Sequence, residues 1–291
     1  MSRTFLQECH DRNNDAGEVG AAGAGVRVRT VALPNEHGGW GLALEPVALG
    51  LLVAPSPAGF FLAVATLGAF LARHPFKIAA GDRRRGRRFP RTAVAERFAL
   101  LYASLALAGL LTAATTAASY QFIIPLLLAA PFAAVQLAYD ATGRSRALAP
   151  ELAGSFGLAA VSTSIALAGG WPLPAAFGLW AILASRVVPT ILYVRARLQL
   201  KHGETPSLSP VFISHVCALG IVVALALLKV APLPAVPALL VLLLRAVFGF
   251  SETAQRASAK QIGIRELAYG ALTVLAAAIG YLLTADHPSS L

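Results

Sequence analysis

The stretch PNEHGGWGLALEPVALG, residues 34–50, decides how the rest of the chain is interpreted. It has the composition of an apolar helix, yet it opens on Glu36 and His37 and carries Glu45 in its interior. An acid in the first turn meets the positive end of the helix dipole, which stabilises it by about 0.3–1 kcal/mol and accounts for Glu36. That argument does not reach Glu45. A carboxylate inside an apolar helix is protonated, paired or facing a wet cavity.

The composition of the whole chain places such helices in lipid. Of 291 residues, 57% are hydrophobic and only 13% are charged, about half the share of a typical soluble domain. A membrane-spanning helix needs roughly 20 apolar residues and satisfies its own backbone hydrogen bonds. We therefore predict an all-α polytopic membrane bundle. Nine transmembrane helices are expected at about 38–54, 57–73, 94–117, 121–139, 150–168, 172–194, 210–229, 231–249 and 264–284.

The basic residues indicate a topology rather than a nucleic-acid site. The chain has 24 Lys and Arg and a net charge of +10. With a cytoplasmic N-terminus, every one of them except Lys229 lies on or toward the cytoplasmic side. This positive-inside bias predicts a cytoplasmic N-terminus, a C-terminus on the opposite side of the membrane, and no nucleic-acid partner.

The ends of the chain differ from its apolar middle. Residues 1–32 are rich in Gly, Asn and charge and are predicted to be a disordered cytoplasmic tail. The transmembrane domain is expected to cover 33–285, and 286–291 form a short C-terminal tail. The two cysteines, Cys9 and Cys217, show no metal-ligand spacing, so we predict neither a metal nor another cofactor.

The chain also contains an internal echo. The segments that begin with Glu36, Glu151 and Glu266 resemble one another at a constant spacing of 115 residues, and we predict each of these acids in the first turn of a helix. Asp140 and Arg144 match Glu252 and Arg256, and Arg73 lies near the position that matches Arg186. We therefore predict two parallel four-helix repeats, at about 36–147 and 151–262, and a ninth helix. The alternative is that helices rich in Ala, Leu and Gly align by chance.

The candidate binding residues lie toward the cytoplasmic side. Arg186, Thr190, Tyr193 and Arg197 share one helix face, and an arginine as deep as Arg186 indicates a functional site. For its partner the sequence offers Glu45 or an anionic ligand, and we favour the ligand. The predicted ligand-binding set is Arg186, Arg73, Lys77, Tyr193, Arg197, Asp140, Arg144, Glu252, Arg256, Glu36, His37 and Glu45.

Most of these residues also have a structural interpretation. Arg73, Lys77, Arg195 and Arg197 are interpreted equally well as topology anchors. The two acids that precede an arginine by four residues, Asp140–Arg144 and Glu252–Arg256, form supportive pairs when they lie on a helix. The GDRRRGRR run, 81–88, is typical of a solvated loop near anionic headgroups. His215 is typical of a hydrogen-bonded packing residue.

Four stretches carry a family resemblance: residues 34–50, the end of the second predicted span at Arg73 and Pro75, GRSRALAPELAG at 143–154, and RVVPTILYVRARL at 186–198. As a set they resemble the YwiC-like family of bacterial membrane proteins, from about residue 33 to 284. That resemblance implies a polytopic inner-membrane protein and no particular activity.

A more distant resemblance concerns architecture. Nine helices arranged as four, four and one are similar to the UbiA-type intramembrane prenyltransferases, which hold Mg²⁺ and a prenyl diphosphate at two Asp-rich loops. The matching segments here, 74–86 and 189–203, contain only one acid, Asp82. The resemblance therefore implies the fold without the Mg²⁺-dependent chemistry, since fold alone does not give function.

The expected function is binding of an anionic amphiphile, such as a phosphorylated lipid or isoprenoid, in a cytoplasm-facing cavity. Transfer of a group on that ligand is left open, and so is whether the protein is an enzyme. Two alternatives remain at this point: a membrane transporter, and a membrane assembly or scaffold protein without a small ligand. The expected partners are membrane lipid and the amphiphile itself.

Overall fold

The computed structural model describes residues 27–34, 37–251 and 257–285, and all secondary structure in these ranges is helical. It contains α1 (Val28–Ala32), α2 (His37–Val53), α3 (Pro57–Arg84), α4 (Pro90–Thr116), α5 (Ile123–Ala141, after a 3-10 turn at Tyr120–Phe122), α6 (Leu148–Ala168), α7 (Leu173–Lys201), α8 (Ser209–Leu227), α9 (Ala235–Gly249) and α10 (Ala259–Ala285).

Helices α3 to α8 and α10 are long and apolar enough to cross a membrane. The predicted all-α polytopic bundle is therefore confirmed. Helices α2 and α9 were also predicted as spans and are apolar, but they have only 17 and 15 residues. Nine membrane crossings accordingly stay a prediction.

Three helices extend beyond their predicted apolar segments. Helix α3 continues past 73 to Arg84, α7 continues past 194 to Lys201, and α10 begins at Ala259 rather than 264. The added residues are mostly Arg, Lys, Gln and Ala, which form helices well in water. Helices α3 and α7 end just before Gly86 and Gly203, whose positive φ angles of 64° and 80° suit glycine.

Helices α6 and α7 form the centre of the bundle. Helix α6 packs against α2, α3, α5 and α7, while α10 covers α2, α7 and α9. The closest pair is α3 and α4, where Gly68 faces the backbone of Ala106 and Gly109 faces the backbone of Ala65. Glycine at both positions allows two membrane helices to approach closely.

Helices α4 and α5 follow each other in the chain but are not packed together. Helix α4 lies on α3, and α5 lies on α6. The exposed side chains of Leu107 and Leu137 border the space between them. The rim of this opening between α4 and α5 is therefore apolar.

The two halves of the predicted repeat can be compared by the order in which their helices pack. The order of packing is the same in both halves, since α3 contacts α4, α5 and α6 while α7 contacts α8, α9 and α10. The repeat and its boundaries stay predictions.

At the N-terminus, residues 28–32 of the predicted tail form α1, where Val31 packs with Ala79 and Ala95. Residues 1–26 and 286–291 lie outside the described ranges.

Candidate functional site

A buried ion pair joins α2 to α7. Arg186 Nη1 donates to Glu45 Oε2, and the two side chains are only 2% and 8% exposed. Arg186 Nη2 also donates to the backbone oxygen of Glu266 on α10, at 3.0 Å. Of the two partners that the sequence allowed for Arg186, Glu45 lies beside it, and the ligand that we favoured stays a prediction. Glu45 lies within reach because α2 and α7 both pack around α6.

Glycine makes room for this pair. A Cβ atom built on Gly270 of α10 would overlap Glu45 Oε1 and lie 2.5 Å from Glu45 Cδ and 2.8 Å from Arg186 Nη2. Separations below 3.0 Å do not occur between real Cβ atoms and their neighbours. Any side chain at position 270 would therefore displace the ion pair.

A second buried ion pair joins α9 to α10. Arg245 Nη1 donates to Glu266 Oε2, and Arg245 Nη2 lies 2.9 Å from His215 Nε2. His215 Nδ1 is 2.7 Å from the backbone oxygen of Val211, which only an N–H can satisfy. The proton of a neutral His215 therefore sits on Nδ1, and Nε2 accepts from Arg245. His215 was predicted to be a hydrogen-bonded packing residue, and its contacts with Val211 and Arg245 are these hydrogen bonds.

Glu266 connects the two ion pairs. Its backbone oxygen accepts from Arg186 and its carboxylate accepts from Arg245. We predicted Glu266 as a first-turn acid, but α10 begins seven residues earlier, so it lies inside the bundle. Glu151, by contrast, is confirmed in the first turn of α6, where its carboxylate accepts from Arg195 Nη1 at 2.8 Å.

The main cavity has a volume of about 1,320 Å³ and lies between helices α2 to α7 and α10. Its charged end contains Arg73, Arg146, Arg195, Glu151 and Glu204. Its inner wall contains the Glu45–Arg186 pair and Glu266. None of its lining residues comes from the connections at 54–56, 117–119 or 169–172, which form the opposite end of the bundle.

Arg73 is fixed at the charged end of the main cavity. Its Nε and Nη2 donate to the two oxygens of Asp140, at 2.5 and 3.1 Å. The amide oxygen of Gln136 accepts from Arg73 Nη2 at 2.7 Å, and its nitrogen donates to the Pro150 backbone oxygen at 2.5 Å. Among the described residues, Arg73 Nη1 has no protein acceptor. Asp140 therefore orients Arg73 and leaves one donor group toward the cavity.

The other end of the main cavity is apolar. It is lined on α4 by Ala106, Leu107 and Leu110, and on α5 by residues that include Leu126, Ala129, Ala130, Ala133 and Leu137. This end coincides with the opening between α4 and α5. The cavity thus joins an arginine-bearing end to an apolar end at the opening between α4 and α5.

The predicted set of site residues is divided in the structure. Arg186, Thr190, Arg73 and Glu45 line the main cavity, whereas Tyr193 and Arg197 line a smaller one between α7, α9 and α10. Asp140 lies behind Arg73, and Lys77 is half-buried outside the lining of both cavities. Glu36, Glu252, Arg256 and the His37 side chain lie outside the described residues.

The predicted helical pair Asp140–Arg144 does not form. Helix α5 ends at Ala141, so Arg144 lies in the following turn, where Gly143 has φ +74°. Asp140 pairs across the bundle with Arg73 instead. An acid and a base four residues apart stabilise each other only when both lie on the helix.

The segment 74–86, which contains the end of α3 and the turn after it, does not fit a metal site. Asp82, its one acid, is 1% exposed. Its carboxylate accepts from Arg91 Nη2 at 2.7 Å, Arg91 Nε at 3.1 Å and Thr92 Oγ1 at 2.8 Å. In the described part of the chain no group of three His, Cys, Asp or Glu side chains could hold a metal ion. Asp82 instead ties the end of α3 to the start of α4.

Comparison with known families covers the first half of this architecture. Residues 33–166 match the model of the family described as YwiC-like protein. The YwiC-like region contains α2 to α5 and most of α6, and with them Glu45, Arg73 and Asp140. The predicted resemblance is confirmed there, and its extension to 284 stays a prediction.

No curated protein and no solved structure matches the chain. The UbiA-type resemblance therefore stays a prediction about architecture. Arg186, Arg245 and Glu266 lie outside the YwiC-like region, so the contacts described above, rather than the family match, place them at the site.

Proposed function

We propose that this membrane protein binds an anionic amphiphile in the main cavity. The proposal rests on one observation. A single cavity of about 1,320 Å³ contains fixed arginines at one end and is apolar at the other end, beside the proposed lipid. Such a space matches a molecule with an acceptor-rich head and a hydrocarbon chain. Lipid-soluble molecules reach it through the opening between α4 and α5.

The charged end offers more donors than acceptors. The carboxylates nearby are engaged: Asp140 with Arg73, Glu151 with Arg195, and Glu204 with Gln199. Arg73 Nη1 and the exposed Arg146 keep N–H groups for a ligand. An arginine fork binds carboxylate and phosphate groups in a defined geometry. A headgroup with several negative oxygens is therefore the complementary partner.

The inner wall adds a second reason. Thr190 Oγ1 and Arg186 Nε are buried and have no hydrogen-bond partner among the described residues. Unpaired buried polar atoms are rare in folded proteins and call for an unseen partner such as a ligand or water. Both residues line the main cavity, so a polar ligand atom there satisfies this need.

A transporter remains the alternative. It would need a path to the opposite side of the membrane, and the lining of the main cavity stops short of the connections at that end. In the conformation described, the fully buried side chains of Leu49, Ile165 and Leu167 occupy that part of the core. This arrangement favours binding from one side over passage.

Filling the apolar end tests the proposal. We expect Ala133→Trp to reduce at least tenfold the amphiphile that co-purifies with the detergent-solubilised protein, measured by native mass spectrometry. Ala134→Trp is the matched control, because Ala134 is exposed at the same depth of α5 but does not line the cavity. Equal retention by the two variants, or no bound amphiphile in the unmodified protein, would contradict the proposal.

We also propose an orientation in a bacterial inner membrane, with the charged end of the cavity in the cytoplasm. The distribution of 24 Lys and Arg, with only Lys229 outside, carries it. A reporter fused after Leu291 is expected to be active in the periplasm, and one inserted within 81–88 in the cytoplasm. A cytoplasmic C-terminus would exclude the predicted nine crossings.

A further inference from the structure

A smaller cavity of about 180 Å³ lies between α7, α9 and α10. Its polar lining consists of Arg197, Arg245, Arg265, Tyr193, Tyr269 and Glu266. Among the described residues, three guanidinium groups and one carboxylate line this cavity, so this part of the lining carries a positive charge. Ligand pockets for larger molecules have volumes of about 300–1,000 Å³. This one has room for a single small group.

The arginine at the base of this cavity is held rigidly. Arg245 donates to Glu266 and His215, and its guanidinium carbon lies 4.1 Å from the centre of the Tyr193 ring. Its side chain is only 4% exposed. Gly249 lets the Tyr193 ring approach, because a Cβ there would overlap the Tyr193 hydroxyl. The positive wall is thus built into the packing of three helices.

Hydrogen-bond donors outnumber acceptors around the smaller cavity. The hydroxyl of the buried Tyr193 accepts from Arg197 Nη1 at 2.9 Å, and its own proton has no acceptor among the described residues. Arg245 Nε is likewise buried without a partner there. The exposed Arg265 adds a further guanidinium at the rim. Among the described residues of the lining, Glu266 is the one acid, and Arg245 already engages it.

The position of the cavity relates it to the membrane surface. Arg197 lies four residues before the end of α7, and Arg245 four residues before the end of α9. The exposed Phe248 and the buried Ile262 form the apolar part of its lining. This is the level at which the phosphates of a surrounding leaflet meet arginine side chains.

We propose that this smaller cavity binds a phosphate group, supplied either by an anionic membrane phospholipid or by free phosphate. Guanidinium groups bind phosphate through charge-assisted hydrogen bonds, frequently two at a time. Arg245 and Tyr193 form the fixed wall, and Arg265 closes over the phosphate from the rim. This site differs from the main cavity and does not depend on the amphiphile proposed there.

The test measures thermal stabilisation of the full-length protein in detergent. Inorganic phosphate and phosphatidylglycerol are titrated separately, with sodium chloride at equal ionic strength to control for screening. We expect Arg265→Gln to raise the apparent dissociation constant of the bound probe at least tenfold. Lys260→Gln is the matched control, because Lys260 is also basic and exposed on α10 but lies outside the cavity lining.

The two titrations distinguish the sources of phosphate. A response to phosphatidylglycerol alone identifies a lipid headgroup, and a response to inorganic phosphate identifies a soluble anion. No response to either probe, or equal weakening by Arg265→Gln and Lys260→Gln, overturns the proposal. Ala133→Trp is expected to leave this response unchanged, so failure at the main cavity remains distinguishable from failure here.

Discussion

Arg186→Met is expected to lower the free energy of unfolding by about 3–5 kcal/mol, because it leaves a buried carboxylate without its partner. The Glu45 side chain is only 8% exposed, and Arg186 Nη1 is its ion-pair partner. Methionine has a similar length and is apolar, so the loss of charge dominates over the loss of volume. Denaturation in detergent, followed by intrinsic fluorescence, measures the change.

The double variant Arg186→Met with Glu45→Leu is the control. Replacing both members of a buried ion pair by apolar residues is often neutral or stabilising. We therefore expect it to recover most of the stability that the single change removes. A double variant as unstable as Arg186→Met would show that Arg186 supports the fold mainly through Glu266, whose backbone oxygen it also contacts.

Binding of the amphiphile by the double variant separates structure from recognition. If Arg186 serves only Glu45, the rescued protein retains the amphiphile as the unmodified protein does. If the rescued protein loses it, Arg186 also contacts the headgroup across the wall of the main cavity. Native mass spectrometry of the two preparations, compared with Ala133→Trp, distinguishes these results.

Gly270→Ala is expected to destabilise by about 1–3 kcal/mol, the usual cost of inserting volume into a packed interior. The added methyl group would overlap the Glu45 carboxylate and crowd Arg186 Nη2. Alanine forms helices better than glycine by about 1 kcal/mol, so the overlap must exceed that gain for the protein to lose stability.

Gly263→Ala on the same helix is the matched control for Gly270→Ala. A Cβ on Gly263 would have no heavy atom within 4 Å. Only the helix propensity then acts, and we expect the change to be neutral or stabilising by up to about 1 kcal/mol. The two alanine substitutions should therefore shift the midpoint of thermal denaturation in opposite directions. Equal shifts would mean that α10 does not pack on the ion pair as described.

The helices were predictable because their signal is local. An apolar run of about 20 residues needs no knowledge of its neighbours to be recognised as a membrane helix. Where helices end was harder, since Arg84 and Lys201 continue a helix that has already left its apolar segment. The short α1 was not recognised because five residues carry too weak a helical signal by themselves. It is held in place by packing on α3 and α4.

The site was predictable only in part, because its contacts join distant parts of the chain. The depth of Glu45 and Arg186 identified both as unusual, although they are 141 residues apart. The sequence could not show that Asp140 reaches Arg73 rather than Arg144, since that depends on where α5 ends. Arg245 and Glu266 were interpreted as topology and helix-end charges. The signal that could have identified them was the position of an arginine and an acid inside apolar segments.

Helix length has a consequence for the bilayer itself. At 1.5 Å per residue, the 17 residues of α2 and the 15 of α9 extend about 26 and 23 Å, against a hydrocarbon thickness of about 30 Å. On α9 the side chains of Leu244 and Val247 are exposed to the surroundings. If α9 crosses the membrane as we predict, the lipid beside it has to thin to match its length, at a modest free-energy cost for each ångström of mismatch. The length of the lipid acyl chains therefore affects how well the bilayer matches this bundle. We expect shorter-chain lipids to be enriched along α9.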